Sequence, residues 1–420
     1  MEMDGLKVKR LNEGKTKVIY ELEEDPNLVL IHSKDRITAG DGARSNELEG
    51  KAVISTSTNV AVYELLNRAG IKTHFVRSQT DRSFVARKCE MIPIEFVIRR
   101  VATGSFLKRN PGVPEGFKFY PVKLEYFFKD DAKHDPQWSY EQIITSNLTF
   151  SGVQITLTQL EIINKTAQCV FEILEKSWNE LNCSLIDMKI EFGVDCEKKT
   201  ILLADIIDSD SWRLWPSGDK RLMKDKQVYR DLKEVTTESL QVIKDNFKWV
   251  ADQVQSMLAW KPRGKVAVLM GSSADLNLGE EIKKLIGSYG VECVLRVTSA
   301  HKGPDMTLKI VSEYEGQNIP CVLIAIAGRS NGLGPTVSAN TSLPVINCPP
   351  ISSEWGPYDI WSSLRLPSGL SCTTVLAPET AALNALRILA LSDVTVWNKV
   401  KVDQLNNWVK LLVADEAVNK

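Results

Sequence analysis

The chain has 420 residues and a formal net charge of −1 at pH 7, with 25% charged and 43% hydrophobic residues. This length exceeds one ordinary hydrophobic core, so we expect two or three domains. The balanced charge excludes a polybasic nucleic-acid binder, and no apolar run reaches the roughly 20 residues that span a bilayer. We therefore expect a cytosolic protein with neither nucleic-acid nor membrane partners.

The cysteines and the first residues agree with this expectation. Eight cysteines are spread along the chain, and no two have the two-residue separation of zinc or redox motifs. Residues 1–10 lack the apolar core of a secretory signal. We expect reduced, mostly buried thiols.

Two regions differ in their pattern of secondary structure. Before about residue 260 short strands mix with long helices, whereas after about residue 264 strands and helices alternate regularly. The apolar spacing of residues 235–260 predicts an amphipathic helix, and residues 261–264, Lys-Pro-Arg-Gly, predict a linker. We predict an α+β domain over residues 1–260, then an α/β three-layer domain with a parallel, flavodoxin-like sheet over residues 261–420.

A glycine turn near the start of the chain carries two lysines. Residues 12–17 nearly match a P-loop, but Lys9 stands where the first glycine is required. We interpret the segment as a turn between strands that holds Lys15 and Lys17 over the phosphates of a nucleotide; the alternative is a solvated hairpin tip. Residues 39–44 nearly match a dinucleotide fingerprint, without its final glycine or a preceding βα context.

Residues 92–105 combine an alternating strand with a loop of small residues. Glu95 and Arg99 lie on one face of the predicted strand, and the loop offers backbone amides and the hydroxyl of Ser105 to an anion. We predict that Arg99 and Ser105 bind a substrate phosphate.

The strand predicted over residues 185–193 has the most ordered charge pattern of the chain. Strict alternation places Asp187, Lys189 and Glu191 on one face and apolar residues on the other. Such an ordered charged face favours a site, although antiparallel sheets also present polar faces to solvent.

A second apolar run, residues 201–208, predicts a hairpin with that strand. If the turn centres near Lys198, Glu191 faces Asp205. Opposed carboxylates destabilise a strand pair unless a cation lies between them, and carboxylates with substrate phosphates suit Mg²⁺. We therefore predict magnesium at Glu191 and Asp205 and a nucleotide-dependent reaction.

Residues 208–213 bring a second arginine, Arg213, close behind this strand. Its alternative role is a surface salt bridge. Residues 129–136 add a further run of charged residues, which includes Asp130 and His134.

The motifs at residues 14–17, 92–105, 129–136 and 185–193 together resemble phosphoribosylaminoimidazole-succinocarboxamide synthase (SAICAR synthetase). The resemblance covers nearly the whole first domain. It implies an ATP-dependent ligase of purine biosynthesis that joins L-aspartate to the carboxylate of carboxyaminoimidazole ribonucleotide (CAIR).

The resemblance also implies roles for individual residues. Asp35, Arg44 and the region around Asp130 are weaker candidates for the aspartate pocket, and no general base is assigned. The implied binding residues are Lys15, Lys17 and Met91 for ATP, Glu191 and Asp205 for Mg²⁺, and Arg99, Ser105, Asp187, Lys189, Asp210 and Arg213 for the ribonucleotide and its surroundings.

Three strands of the second domain, predicted over residues 265–270, 292–297 and 321–327, each run into a loop rich in small or polar residues. Open α/β sheets bind ligands at the carboxyl edge of their strands, so we expect the three loops to lie together. The first loop suits a phosphate at a helix start, where Ser272 and Asp275 either bind ligand or cap the helix.

His301 in the second loop is the only histidine after residue 134. An imidazole acid–base step in this domain must therefore use it. A lone loop histidine is usually structural or exposed, but His301 lies between two glycine-rich loops.

These loops resemble aminoimidazole ribonucleotide (AIR) carboxylase over roughly residues 264–400, with Ala274 where the family usually has serine or threonine. The resemblance implies the animal type, which takes CO₂ directly without metal, biotin or ATP; the bacterial mutase type is the alternative. It implies a homo-oligomer, commonly an octamer, and a pocket completed by residues 361–369. The implied catalytic residues are His301 and Lys302, and the implied binding residues are Ser272, Asp275, Ser299, Arg329, Ser330 and Gly332.

Without the resemblance, two classes of protein fit the sequence. One is a Mg²⁺-nucleotide ligase or kinase fused to an α/β enzyme. The other is a non-catalytic nucleotide sensor fused to a flavodoxin-like binding module.

Overall fold

The computed structural model describes residues 1–39, 44–353 and 356–419. The chain forms two compact units, Met1–Ala259 with Lys401–Lys420, and Trp260–Val400. Residues 401–420 thus group with the first unit, whereas the sequence led us to expect them in the second. The core of the dinucleotide-like motif, residues 40–43, lies outside the described residues.

The first unit contains mostly antiparallel strands and two long helices. Its strands are β1 (Glu2–Met3), β2 (Leu6–Glu13), β3 (Lys17–Leu22), β4 (Leu28–Ser33), β5 (Arg36–Ala39), β6 (Arg44–Glu47), β7 (Phe75–Thr80), β8 (Ser83–Arg87), β9 (Cys89–Met91), β10 (Ile94–Val101), β11 (Lys118–Phe128), β12 (Gln137–Trp138), β13 (Thr149–Phe150), β14 (Val153–Gln154), β15 (Cys183–Asp195), β16 (Ile201–Ala204) and β17 (Trp212–Pro216). Its helices are α1 (Lys51–Ala69), α2 (Ser105–Arg109), α3 (Tyr140–Thr145), α4 (Leu157–Glu180), α5 (Gln227–Asp231) and α6 (Thr237–Met257).

Two larger sheets organise these strands. The first has the order β1-β2-β3-β4-β8-β7, and the second has the order β12-β11-β10-β15-β16, with β9 and β17 also paired to β15. Strand β15 is therefore the hub of the second sheet. Its apolar face, formed by Ile186, Met188 and Ile190, is buried, and β15 packs against α4. The predicted alternation of this strand is confirmed.

The predicted register of the β15–β16 hairpin is wrong by one residue. Glu191 pairs with Ala204, and Asp205 follows the end of β16 with a φ of 65°. Strand β15 extends to Asp195 because its end also pairs with β9, and the Asp195 carboxylate then accepts the backbone N–H groups of Glu197 and Lys198 in the turn. Because β15 is longer than predicted, the turn to β16 is shorter, and Glu191 pairs with Ala204 instead of Asp205.

The second unit alternates strands and helices. Its strands are β18 (Lys265–Met270), β19 (Glu292–Val297), β20 (Cys321–Ile326), β21 (Val345–Asn347) and β22 (Thr373–Thr374), in the parallel order β19-β18-β20-β21-β22. Its helices are α7 (Leu276–Ser288), α8 (Pro304–Glu315), α9 (Leu333–Ser338), α10 (Gly356–Asp359), α11 (Trp361–Leu364), α12 (Pro378–Leu389) and the first turns of α13 (Val394–Val418).

Apolar residues cover both faces of this parallel sheet, as the near-continuous apolar strands predict. Val266 and Val268 pack with α7 and α12 on one face, while Ala267 and Leu269 pack with α8 and α9 on the other. The three-layer prediction is confirmed. Met270 pairs with both Val297 and Ile326, so the strands end level and their loops leave the same edge.

Helix α13 begins in the second unit and continues into the first. Within the first unit Val402 is buried, and a Cβ atom on Gly70 would lie 3.2 Å from its side chain. The ammonium group of Lys401 lies 2.7 Å from the Glu172 carboxylate of α4. These contacts join the start of the C-terminal segment, Lys401 and Val402, to the first unit.

The predicted helix before the linker is confirmed as α6, which begins with a reciprocal capping box between Thr236 and Ser239. In the part of the chain that the structure describes, the cysteines are free thiols, and no helix is long and apolar enough to cross a membrane.

Candidate active sites

A cleft of about 670 Å³ in the first unit gathers most of the residues that the sequence predicts there. Met91 is not among its lining residues: it ends β9 opposite Gly193 and is 37% exposed. Asp35 and Arg44 are also not among them. The predicted residues that line the cleft are Lys15, Lys17, Arg99, Ser105, Asp187, Lys189, Glu191, Asp205, Asp210 and Arg213.

The lysine turn connects β2 to β3 and forms one wall of the cleft. The Gly14 N–H donates to the Lys17 carbonyl over 2.9 Å, which closes the turn. Lys17 forms an ion pair with Asp205, and the Lys15 ammonium lies 3.4 Å from an Asp131 carboxylate oxygen. Burial lowers the pKa of Lys17 to about 8, because the effect of burial is larger than the opposing effect of the Glu191 charge.

Glu191 is held as an anion between two lysines. It is 2% exposed, and its two carboxylate oxygens accept from Lys129 over 2.8 Å and from Lys189 over 2.9 Å. Burial alone would raise the pKa of this carboxyl, but the nearby lysines, Lys189 foremost, lower it to about 2. Lys189 also donates to Glu95 over 2.7 Å. Burial lowers the pKa of Lys189, but the Glu191 and Glu95 carboxylates raise it by more, so the net shift is upward.

Two arginines converge at another part of the cleft. Arg99, 3% exposed, donates to Asp187 over 2.6 Å, and Arg213 donates to the same Asp187 oxygen over 2.5 Å. A Cβ atom on Gly104 would lie 2.8 Å from the Arg213 guanidinium, so only glycine lets this loop approach so closely. Ser105 follows as the first residue of α2. This arrangement suits a phosphate group.

Sequence reasoning did not single out Lys51, Asp208, Lys226 or Arg230, which also line the cleft. The Lys51 ammonium lies 3.2 Å from an Asp210 oxygen, and the Lys226 ammonium lies 3.3 Å from the same oxygen. Lys51 is the first residue of α1, where the helix dipole disfavours a cation. That misplaced charge is the signal in the sequence by which Lys51 could have been found.

The carboxylates of the cleft are of the chemical type that magnesium ions bind. The described residues contain no group of three or more histidine, cysteine, aspartate or glutamate side chains able to hold a metal alone. Glu191 and Asp205 nevertheless face the same cleft, each neutralised by lysine ammonium groups. Mg²⁺ is commonly held by one or two carboxylates, with water and phosphate oxygens completing its shell.

In the second unit the second and third predicted loops lie against each other. A Cβ atom on Gly332 of the third loop would lie 2.5 Å from His301 Nε2 of the second loop. In the first loop the Ser272 hydroxyl accepts the Ala274 N–H over 3.1 Å, so its capping role is present. Asp275 makes no side-chain cap, and burial raises its pKa.

The third loop is anchored by a residue that the sequence did not single out. Asn331 is buried; its backbone N–H donates to Ser362 over 2.8 Å and its side-chain amide to Ser363 over 2.9 Å. The segment of residues 361–369 therefore supports this loop. Asp275, Ser299 and Gly332 are half-buried, and the exposed predicted residues are Ser272, His301, Lys302, Arg329 and Ser330.

Comparison with known proteins matches each unit to an enzyme family. Residues 10–245 match the family model for SAICAR synthetase, and residues 265–408 match that for AIR carboxylase. The crystal structure of phosphoribosylaminoimidazole-succinocarboxamide synthase from Ehrlichia chaffeensis is 29% identical, with a TM-score of 0.52, over 59% of this chain and 98% of that one. A SAICAR synthetase in complex with ADP is 32% identical, with a TM-score of 0.50, over 58% and 98% of the two chains. The first unit thus has the SAICAR synthetase fold.

Similarity extends over both units in relatives from animals. The human bifunctional phosphoribosylaminoimidazole carboxylase/phosphoribosylaminoimidazole succinocarboxamide synthetase is 58% identical over 412 residues, which cover 98% of this chain and 97% of that protein. This chain belongs to that bifunctional family. The resemblance found in the sequence is confirmed, and the nucleotide-sensor and mutase alternatives are not favoured.

We predict that Lys17 titrates with a pKa of about 8, well below an ordinary lysine, because burial destabilises its ammonium form. Glu191→Gln should lower this pKa further, since it removes a charge that favours the ammonium. NMR titration of isotope-labelled lysine side chains measures both values, with Lys17→Arg to assign the signal and the exposed Lys248 as internal control. An ordinary lysine pKa for Lys17 would contradict this description of the cleft.

Proposed function

We propose that the two units catalyse consecutive steps of purine biosynthesis. The second unit carboxylates AIR with CO₂ to give CAIR, and the first joins CAIR to L-aspartate with ATP, giving SAICAR, ADP and phosphate. The observation that carries the ligase assignment is the single cleft in which phosphate-binding lysines, two candidate magnesium carboxylates and an arginine pair face one another. Family membership supports both activities.

In ligation, the residues of the cleft bind and orient charged groups. Lys15 and Lys17 face the phosphates of ATP, and Glu191 and Asp205 hold Mg²⁺, which when bound neutralises phosphate charge. The arginine pair, Arg99 and Arg213, holds the ribonucleotide phosphate with Ser105. Because a carboxylate is a poor acylating group, it is first phosphorylated, and catalysis of that transfer rests on positioning and charge neutralisation.

Asp187 and Lys189 hold the binding residues of the cleft in position. Asp187 accepts from both arginines and so sets the distance between them. Lys189 joins Glu191 to Glu95, which keeps the candidate magnesium carboxylate in one orientation. Asp210, held by two lysines, lies farther along the cleft and completes the ribonucleotide site in this proposal.

In carboxylation, His301 and Lys302 act on a substrate held by the loops. The electron-rich imidazole carbon of AIR attacks CO₂, His301 accepts the ring proton, and Lys302 with loop amides stabilises the new carboxylate. Ser272, Asp275 and Ser299 hold the ribonucleotide, together with Arg329, Ser330 and Gly332 of the third loop. We propose that this step needs neither biotin nor ATP.

We further propose a cytosolic homo-oligomer, an octamer assembled through the second unit, without nucleic-acid or membrane partners. Exposed apolar side chains support the assembly: Tyr358 is 78% exposed, and Trp361 and Leu364 of α11 are also exposed. Clustered apolar groups of this kind mark protein contacts more often than free surface. The small net charge supports the absence of nucleic-acid partners.

Labelled bicarbonate tests the whole sequence of reactions. Supplied with AIR, ATP and L-aspartate, the enzyme should transfer the label first to CAIR and then to SAICAR, and sustained release of ADP should require both CAIR and an amine nucleophile such as aspartate. Chromatography of the labelled products measures this. Sustained ADP release at the same rate with and without aspartate, or no labelled CAIR, would refute the proposal.

Glu191→Gln should lower ligation by at least roughly 100-fold, because the variant removes one of two proposed magnesium carboxylates, takes the carboxylate partner from Lys129 and leaves Lys189 with Glu95 alone. Carboxylation of AIR should stay unchanged. The two rates are measured separately, with added CAIR for ligation, and Asp252→Asn on the exposed face of α6 is the control. Raised Mg²⁺ should partly restore the rate; equal loss of both activities would count against independent sites.

His301→Asn should lower carboxylation by roughly 100- to 10,000-fold, the usual contribution of a general acid or base. Ligation of supplied CAIR should persist, because the two activities use different units. Isotope incorporation into CAIR is the measurement.

Two glycine substitutions test whether carboxylation depends on the position of the His301 imidazole. Gly332→Ala should reduce carboxylation strongly, because its Cβ would meet His301 Nε2 at 2.5 Å, whereas Gly287→Ala meets no atom within 4 Å and should not. Full carboxylation by both His301→Asn and Gly332→Ala would rule out this mechanism.

A further inference from the structure

Four charged residues form a group at one side of the ligase cleft, which we call the inner cluster: Lys51, Asp208, Asp210 and Lys226. The proposed function uses only Asp210 among them. Lys51 is 2% exposed and Asp208 is 5% exposed. Burying charged groups so completely is costly unless they are paired, so their arrangement calls for a role.

The two carboxylates of the inner cluster differ in their partners. One Asp210 oxygen lies 3.2 Å from the Lys51 ammonium and 3.3 Å from that of Lys226, which keeps Asp210 ionised and engaged. Asp208 has no ion pair within 4 Å in the described part of the chain; one of its oxygens accepts the Asp210 backbone N–H over 2.8 Å. Asp208 therefore keeps an oxygen that no basic side chain occupies.

The surroundings of Asp208 also favour proton uptake. Burial and the neighbouring Asp210 charge raise its pKa, against the opposing effects of Lys51 and the Ser55 hydroxyl. Its charge acts in turn on the pKa of Lys17, of Lys51 and of Lys226. Asp208 and Lys17, the lysine assigned to ATP phosphates, line the same cleft.

The ligation reaction needs a proton acceptor at such a place. The amine of aspartate is an ammonium ion at neutral pH and has no lone pair for attack until it loses a proton. Asp135 also lines the cleft without an ion pair in the described part of the chain, and it accepts the Asp130 backbone N–H. Three other cleft carboxylates are occupied by cations: Glu191 by two lysines, Asp187 by two arginines and Asp205 by Lys17. A carboxylate engaged in this way is a poor base.

We propose that Asp208 is the catalytic base of ligation, and that Lys51 and Asp210 position and tune it; this inference rests on the proposed function. The Asp208 carboxylate takes one proton from the aspartate ammonium. The freed lone pair forms the C–N bond with the acyl phosphate carbon, and the C–O bond to phosphate breaks. The departing phosphate takes that bond's electron pair and the second amine proton, and Asp208 then releases its proton to water.

Asp208→Asn separates this role from phosphoryl transfer. The variant keeps the shape of the side chain but cannot accept the proton, so amide formation should fall by roughly 100- to 10,000-fold. Phosphorylation of CAIR should survive. It is measured without aspartate, by scrambling of ¹⁸O between the bridging and non-bridging positions of labelled ATP. Hydroxylamine, largely unprotonated at neutral pH, should react with the acyl phosphate at equal rates in variant and wild type.

The pH dependence gives a second readout. In wild type the single-turnover rate of amide formation should fall on the acid side as Asp208 becomes protonated. Asp208→Asn should lose this dependence, and Lys51→Gln should move it to higher pH, since Lys51 lowers the pKa of Asp208. Asp252→Asn should leave it unchanged, and thermal melting verifies that each variant is folded.

Two outcomes would overturn the inference. One is amide formation by Asp208→Asn within a few-fold of wild type at neutral pH. The other is equal loss of isotope scrambling and amide formation in a folded variant, which would make Asp208 a phosphoryl-transfer or structural residue. Failure of the proposed function itself is distinct, because the wild-type enzyme would then form no aspartate-dependent product.

Discussion

Charge compensation along the inner face of β15 is the constraint on which the ligase cleft depends. This strand is buried on both faces, yet one face carries Asp187, Lys189 and Glu191 in alternation. Each charge is tolerated because a neighbouring strand or loop supplies its opposite. Removing one partner would leave a buried, uncompensated charge, which usually costs about 3–5 kcal/mol.

The same pairs orient the groups that the chemistry needs. A guanidinium held by a buried carboxylate cannot rotate away from a ligand, so the arginine pair faces the cleft before substrate arrives. The lysines around Glu191 keep that carboxylate ionised. A bound divalent cation or phosphate would replace some of these lysine–carboxylate ion pairs in a site that already exists. Such preorganisation avoids rearrangement during reaction.

Sequence reasoning succeeded where a pattern is local. The alternation of β15, the helix before residue 260 and the level ends of β18, β19 and β20 follow from periodicity and from the rules of parallel sheets. The register of the β15–β16 hairpin did not, because it depends on pairing with β9, which is distant in the sequence. Lys51 and Lys226 of the inner cluster escaped notice, since they are distant in the sequence from Asp208 and Asp210 and only folding brings them together.

Helix α13 carries a consequence for how the chain can be divided. Its later turns supply Val402 and the Lys401–Glu172 pair to the first unit, although they follow the whole of the second unit in sequence. In terms of contacts, the second unit therefore lies in the sequence between two segments of the first. A fragment ending at residue 260 would lack the buried Val402 side chain and the Lys401–Glu172 ion pair, so this truncation removes native packing from the ligase half.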